Sequence, residues 1–139
     1  VITALIGLVV FYIGLKMFSG GMKSMGNMEH LTWFLGNPIY MFFGGIIMTL
    51  AWQSSSLSTT AIIALVASGA LPLPAAVACV LGANIGTTGT IWLAGFFVSD
   101  GMPKGDTLRI AMAHTGANLL MALALLPFVG QIAKYLERF

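Results

Sequence analysis

Between His30 and Asp100 the sequence contains no Asp, Glu, Lys or Arg, a run of 69 residues. A second such run, 24 residues long, extends from Ile110 to Ala133. An ordinary soluble domain carries roughly 25% charged residues, whereas this chain has 7% charged against 58% hydrophobic. Six Lys and Arg with four Asp and Glu cannot clothe a water-soluble surface of 139 residues. A soluble enzyme and a disordered chain are both excluded, and an integral membrane protein remains. About 20 apolar residues cross the hydrocarbon core as a helix, so the longer run has material for more than three passes. Gly and Pro interrupt it repeatedly and cut it into pieces.

Residues 1–19 read as a first transmembrane helix ending at Gly20-Gly21. They lack the basic n-region and small-residue cleavage site of a secretory signal. In residues 25–36, Met28, Leu31, Trp33, Phe34 and Leu35 are mixed with Asn27, Glu29, His30 and Thr32, which predicts a short interfacial helix with Trp33 at headgroup depth. Ile39 to Trp52 is apolar or small and covers only about 21 Å as a helix. Gln53 to Thr60 follows, with polar side chains at every position but Leu57, and then the apolar Ala61 to Ala67. Two short apolar arms around a polar centre predict a re-entrant helical hairpin over 38–69 with its tip inside the membrane. One continuous helix with a polar patch is the less specific alternative.

Ser68 to Pro74 reads as a turn, since Gly ends helices and Pro restarts them. Residues 73–99 predict a transmembrane helix broken at Gly82 to Gly89, Asp100 to Asp106 an aqueous loop, 107–127 the last transmembrane helix, and Pro127 to Phe139 a short basic tail. The expected fold is an all-α membrane protein of three transmembrane helices, one of them broken, plus the hairpin. Three crossings are an odd number, so a second copy joined in sequence enters the membrane upside down.

Non-helical backbone at membrane depth is tolerated only where it is buried in protein or lines a watery cavity. Two polar interruptions in one apolar run therefore point to one cavity. In transporters, such breaks set half-helix N-termini near anions and free carbonyls near cations. Hydroxyls serve both, offering a donor to an anion and lone pairs to Na+. Ser68, Thr49 and Thr115, taken singly, read as hydroxyls that bond back to their own helix or assist packing. The cluster at 53–60 is too dense for that, because buried unpartnered polar groups cost roughly 1–3 kcal/mol each. Gly82 and Gly86 also form a G-x-x-x-G, a packing motif of membrane helices. Asn84, Thr87, Thr88 and Thr90, within and beside it, favour the broken-helix reading. His114, with Asn118 one turn later, reads either as a cavity-facing ionisable group or as a packing residue. Trp52 adjoins the polar tip as a candidate cover. The net charge of +2 is scattered rather than clustered, which argues against nucleic acid. The single Cys79 excludes an intramolecular disulfide and a thiolate metal cluster.

Gln53-Ser54-Ser55-Ser56 followed by Gly82-Ala83-Asn84-Ile85-Gly86-Thr87-Thr88 resembles the two signature stretches of the sodium/phosphate cotransporter family, the type II proteins and their bacterial relatives. The likeness extends to Gly14-Leu15-Lys16-Met17, Gly36-Asn37-Pro38, Gly69-Ala70-Leu71, and Ala113-His114 with Asn118. The resemblance implies Na+-driven secondary transport of inorganic phosphate by two inverted repeats, each lending a Q-S-S-S hairpin to a central site. Carried over, it assigns Ser54, Ser55, Ser56, Asn84, Thr87 and Thr88 to phosphate. Gln53, Ser54, Ser55, Ser56, Thr87 and Thr88 are assigned to Na+, with Trp52, Ser58, His114 and Asn118 around them. Na+ is the expected coupling ion; no catalytic residue and no cofactor is expected. Membrane lipid is the expected surroundings, in a bacterial inner membrane.

This sequence contains one such repeat, half of an inverted-repeat transporter. An antiparallel homodimer restores the two-fold arrangement: with the hairpin returning to its own side, Lys16, Lys23, Lys134 and Arg138 fall on one face and Lys104 with Arg109 on the other, a weak positive-inside bias. The first residue is Val rather than Met, and one half of a longer two-repeat protein is the rival expectation. A small dual-topology anion channel and a phosphate-sensing module are the readings from other classes. An enzyme is not expected, since Ser54 to Ser56 have no Asp–His pair at a recognisable spacing.

Overall fold

The computed structural model describes residues 2–25, 29–97 and 104–138, and the regular elements among them are all helical. They are α1 (Ile2–Met25), α2 (Glu29–Gly36), α3 (Pro38–Trp52), α4 (Ser55–Ala67), α5 (Leu73–Phe97), α6 (Lys104–Leu125), a 3-10 turn (Leu126–Phe128) and α7 (Val129–Leu136). The boundaries follow from local chemistry. Asn37 caps α3, its Oδ1 accepting from the Ile39 N–H at 2.9 Å, and Pro38 occupies the first turn, where a missing N–H costs nothing. α4 ends in a Gly69 at φ +77°, with the Ala70 and Leu71 N–H groups closing on the Leu65 carbonyl. Leu71 tucks beneath that turn, 2% exposed, a hydrophobic closure typical of glycine-terminated helices.

α5 is the centre of the molecule. α3 runs parallel to it: Phe42 meets Gly82, Gly45 lies against Cys79 and Ala83, and Leu50 meets Gly89. α4 runs antiparallel to it, with Ser55 and Ser56 beside Asn84 at one end and Ile62 and Leu65 sharing a core with Ala75, Ala76 and Cys79 at the other. The chain therefore reverses at Gln53-Ser54, and α3 and α4 form a helical hairpin. α6 packs antiparallel on another side of α5, from Thr107 and Leu108 against Gly95 to Ala122 in a cluster with Ala78 and Leu81. α1 touches the rest through α4 and the end of α3: the Ser19 hydroxyl donates to the Ala64 carbonyl at 3.0 Å, and Phe18 meets Trp52 edge-on. Its flanks are otherwise exposed Leu, Ile, Val and Phe, a surface suited to lipid.

Three helices are long and apolar enough to cross a membrane, over Ile2–Gly21, Leu73–Phe96 and Gly105–Leu136. α3 and α4 have 15 and 13 residues, which at 1.5 Å per residue is about 22 and 20 Å, short of a hydrocarbon core about 30 Å thick.

Three expectations from the sequence are corrected. α5 is unbroken from Leu73 to Phe97. Its glycines do not interrupt the helix, because they are where α3 presses closest. A Cβ on Gly82 overlaps the Phe42 carbonyl oxygen, one on Gly45 overlaps the Cys79 carbonyl oxygen, and one on Gly86 falls 2.7 Å from the Ile46 carbonyl oxygen. Small residues let the two backbones meet. The basic tail is instead helix α7, whose Val129 and Ala133 are buried against α5 while Lys134 stays exposed. Lys104 to Asp106, assigned to a loop, form the first turn of α6, where Asp106 pairs with Arg109 at 3.0 Å on the exposed surface. Residues 98–99 of the expected 73–99 helix, residues 100–103 of the expected loop, and residues 26–28 of the expected interfacial helix lie outside the described residues.

The close approach makes a prediction. An interior helical Gly→Ala normally gains about 1 kcal/mol, and Gly116, with open space around it, should follow that rule. Gly82→Ala should instead lose about 3 kcal/mol by forcing α3 outward. Thermal unfolding in detergent should show a fall in Tm for Gly82→Ala and none for Gly116→Ala; equal shifts would contradict the packing.

Candidate functional site

The hairpin reverses where the sequence is most polar, and the reversal is built from its own side chains. Gln53 ends α3 in the left-handed region at φ 52°, the only positive φ at a non-glycine among the described residues. Its backbone N–H donates to the Thr49 carbonyl at 2.8 Å and its side-chain amide to the Leu50 carbonyl. These bonds occupy two of the carbonyls that a helix end leaves free. The Gln53 Oε1 in turn accepts from the Thr90 hydroxyl at 2.8 Å, tying the tip to α5. Ser54 caps α4, its Oγ accepting from the Leu57 N–H at 3.3 Å. Ser58 and Thr49, both fully buried, join the two arms by a 2.8 Å hydrogen bond.

Beside this tip is an open cleft of about 350 Å³ lined by Ser55, Ser56, Thr59, Thr60 and Asn84. No charged side chain lines it. The Thr60 hydroxyl donates to the Ser56 carbonyl at 2.7 Å. The side chains of Ser55, Ser56, Thr59 and Asn84, and the backbone N–H groups of Ser55 and Ser56, have no hydrogen-bond partner among the described residues. The Ala51 and Trp52 carbonyls at the end of α3 are likewise free. One helix therefore presents its positive amino end, and another its negative carboxyl end, on the two sides of the Gln53-Ser54 break. Such an arrangement accommodates an anion at the N–H groups and a cation at the carbonyls without any formal charge.

Of the residues singled out in the sequence, Ser55, Ser56 and Asn84 line the cleft, and Gln53 and Ser54 form its tip. Thr87 and Thr88 lie on α5, their hydroxyls donating to the Ala83 and Ile85 carbonyls at 2.9 and 2.7 Å, so each retains only acceptor capacity. Thr88 is 3% exposed and does not line the cleft. Trp52 packs on the α1 side with Phe18 and Leu57. Ser58 is structural to the tip. His114 and Asn118 are on α6 and do not line the cleft; the Asn118 amide donates to the His114 carbonyl at 2.9 Å, and the His114 Nδ1 is buried with no hydrogen-bond partner among the described residues. Ser68 and Thr115 bond back to the Leu65 and Ala111 carbonyls, as expected of isolated hydroxyls. Thr59 and Thr60 carry no motif of their own in the sequence. Their spacing of four from Ser55 and Ser56, one helical turn on the same face, is the signal that finds them. A larger groove of about 430 Å³ between α4, α5 and α7 is lined only by apolar side chains such as Ile63, Val77 and Ile132, with nothing to orient an ion.

Residues 10–134 match the Na+/Pi-cotransporter family. The sodium-dependent phosphate transport protein 2A of Rattus norvegicus is 36% identical over 99 residues, covering 67% of this chain and 15% of that protein. The sodium-dependent phosphate transport protein 2B of Homo sapiens is 31% identical over 145 residues, covering 96% of this chain and 20% of that protein. The chain thus spans about a fifth or less of the length of these curated relatives. No solved structure matches it. With the family match covering nearly the whole chain, and with the hairpin tip and Asn84 meeting at one uncharged cleft, the chain belongs to the Na+/Pi-cotransporter family.

Proposed function

We propose that this chain is one half of a Na+-coupled carrier of inorganic phosphate in an inner (plasma) membrane. The observation that carries this reading is the cleft where the free N–H groups of Ser55 and Ser56 and the free carbonyls of Ala51 and Trp52 flank a single break. Phosphate accepts hydrogen bonds from the start of α4, from the Ser55 and Ser56 hydroxyls and from the Asn84 amide. Na+ takes oxygen ligands from the α3 carboxyl end, with Gln53 and Ser54 as further candidates; Thr87 and Thr88 stand on α5 away from the cleft lining. The names of the relatives support both ions. Hairpin arms of about 20 Å support a re-entrant placement, with the tip halted inside a hydrocarbon core they cannot cross.

The cleft is open on one side, and a second repeat closes it. In the proposed assembly that repeat is a second copy of this chain inserted upside down. Lys16 and Lys134 lie towards the amino end of α5 and Arg109 towards its carboxyl end, a cation imbalance small enough to allow both orientations. The second reading is one half of a longer two-repeat protein, favoured by relatives of which the matched part makes up a fifth or less.

Purified chain in proteoliposomes should take up labelled phosphate only when a Na+ gradient is applied. Uptake that ignores Na+, or flux without saturation, would instead indicate a channel. Ser55→Ala, which removes one donor to an anion, should raise the half-saturating phosphate concentration about tenfold, whereas Ser68→Ala should leave it unchanged. Equal responses would remove Ser55 from the site. Tags on both termini should be found on both sides of the membrane of intact cells; a single orientation would exclude the inverted homodimer.

A further inference from the structure

Thr49 lies in the apolar stretch before the break, and its sequence context marks it only as a hydroxyl that bonds back to its own helix or assists packing. The structure gives it a different place. Both sides of the Gln53-Ser54 break are held from this one residue: its carbonyl accepts from the Gln53 N–H at 2.8 Å, and its hydroxyl donates to the Ser58 Oγ at 2.8 Å. Ser58 passes the constraint on, its hydroxyl donating to the Ser54 carbonyl at 3.0 Å while its N–H reaches the same oxygen at 3.1 Å. Thr49 is 1% exposed and Ser58 is 0% exposed, so water cannot substitute for either partner. α5 closes over the pair where Gly86 leaves room: a Cβ there falls 2.9 Å from the Thr49 Cβ.

We propose that Thr49 is a positioning residue for the ion site, fixing through Ser58 the direction in which the first turn of α4 aims its N–H groups and hydroxyls into the cleft. The inference rests on the reading of that cleft as the phosphate and Na+ site. Thr49 touches no ion itself. The chain of bonds is directional, because the Ser58 proton is committed to the Ser54 carbonyl and its lone pair is filled by Thr49. Removing the Thr49 hydroxyl leaves one lone pair of Ser58 unfilled while its proton stays bonded to the Ser54 carbonyl, and an under-satisfied acceptor is tolerated in folded proteins more often than an orphaned donor, so the fold survives the substitution.

Two variants of the full chain separate positioning from packing. Thr49→Val keeps the branched shape and loses the hydroxyl; Thr49→Ser keeps the hydroxyl and loses the methyl. In Na+-driven uptake of inorganic phosphate, Thr49→Val should raise KM for both ions by about three- to tenfold, the range one ordinary hydrogen bond is worth. Thr49→Ser should restore KM to within about twofold of the parent. A packing role predicts the opposite order, or a loss of folded protein with KM unchanged, and either result would overturn the proposal. Amide hydrogen exchange gives a readout independent of transport. Thr49→Val should speed exchange at Leu57 and Ser58 and leave Ala76 to Gly82 unaltered; unchanged rates at Leu57 and Ser58 would overturn the proposal. If the parent chain carries no phosphate, the proposed function fails, while the exchange rates still decide whether Thr49 sets the tip.

Discussion

The backbone contact between α3 and α5 determines where everything else lies. Gly45, Gly82 and Gly86 remove the side chains that normally hold helices 8–10 Å apart, and carbonyl oxygens of one helix pack directly on Cα atoms of the other. This contact fixes the register of α3 along α5, and the register fixes the depth of the hairpin tip. Gln53 consequently reaches Thr90, and Ser55 and Ser56 come to rest opposite Asn84. A slip of one helical turn would move the cleft by about 5.4 Å and separate those partners.

The proposed site, assembled from hydroxyls, amides and helix ends, would solve a problem specific to the bilayer. Charged side chains near the membrane centre are expensive, while a helix terminus supplies partial charge from groups the chain already carries. The cost is that the free N–H and C=O groups must be held in place, since a mobile tip would find partners of its own. Two ties do this here: Thr90 to Gln53 on the outside and Thr49 through Ser58 to Ser54 on the inside. Their hydroxyl donors come from α5 and α3, so the tip is braced from both helices it must align.

The hairpin was legible because polarity changes abruptly at Gln53 and the arms around it are too short to span. The break expected in the next helix was not there, because glycine carries two meanings in one sequence. Gly82, Gly86 and Gly89 are spaced by four and three, one face of a helix, and α3 offers Gly45 in return; this spacing is the sign of close packing rather than interruption. α7 was hidden by its charges: Val129, Ile132, Ala133 and Leu136 follow a helical stripe, but Lys134, Glu137 and Arg138 gave residues 127–139 the look of a tail. That Ser55, Ser56 and Asn84 share one cleft is signalled by residue type and motif. Thr59, Thr60 and Thr49 required knowing which faces meet, which periodicity alone supplies only once the hairpin is drawn.

The central claim is that the amino end of α4 binds phosphate together with Na+. Amide chemical shifts of isotopically labelled protein test it directly. Adding inorganic phosphate should move the Ser55 and Ser56 amides in Na+ but not in choline, with little change along α1. Shifts that are absent, independent of Na+, or centred elsewhere, such as around Trp33 to Pro38, would contradict it.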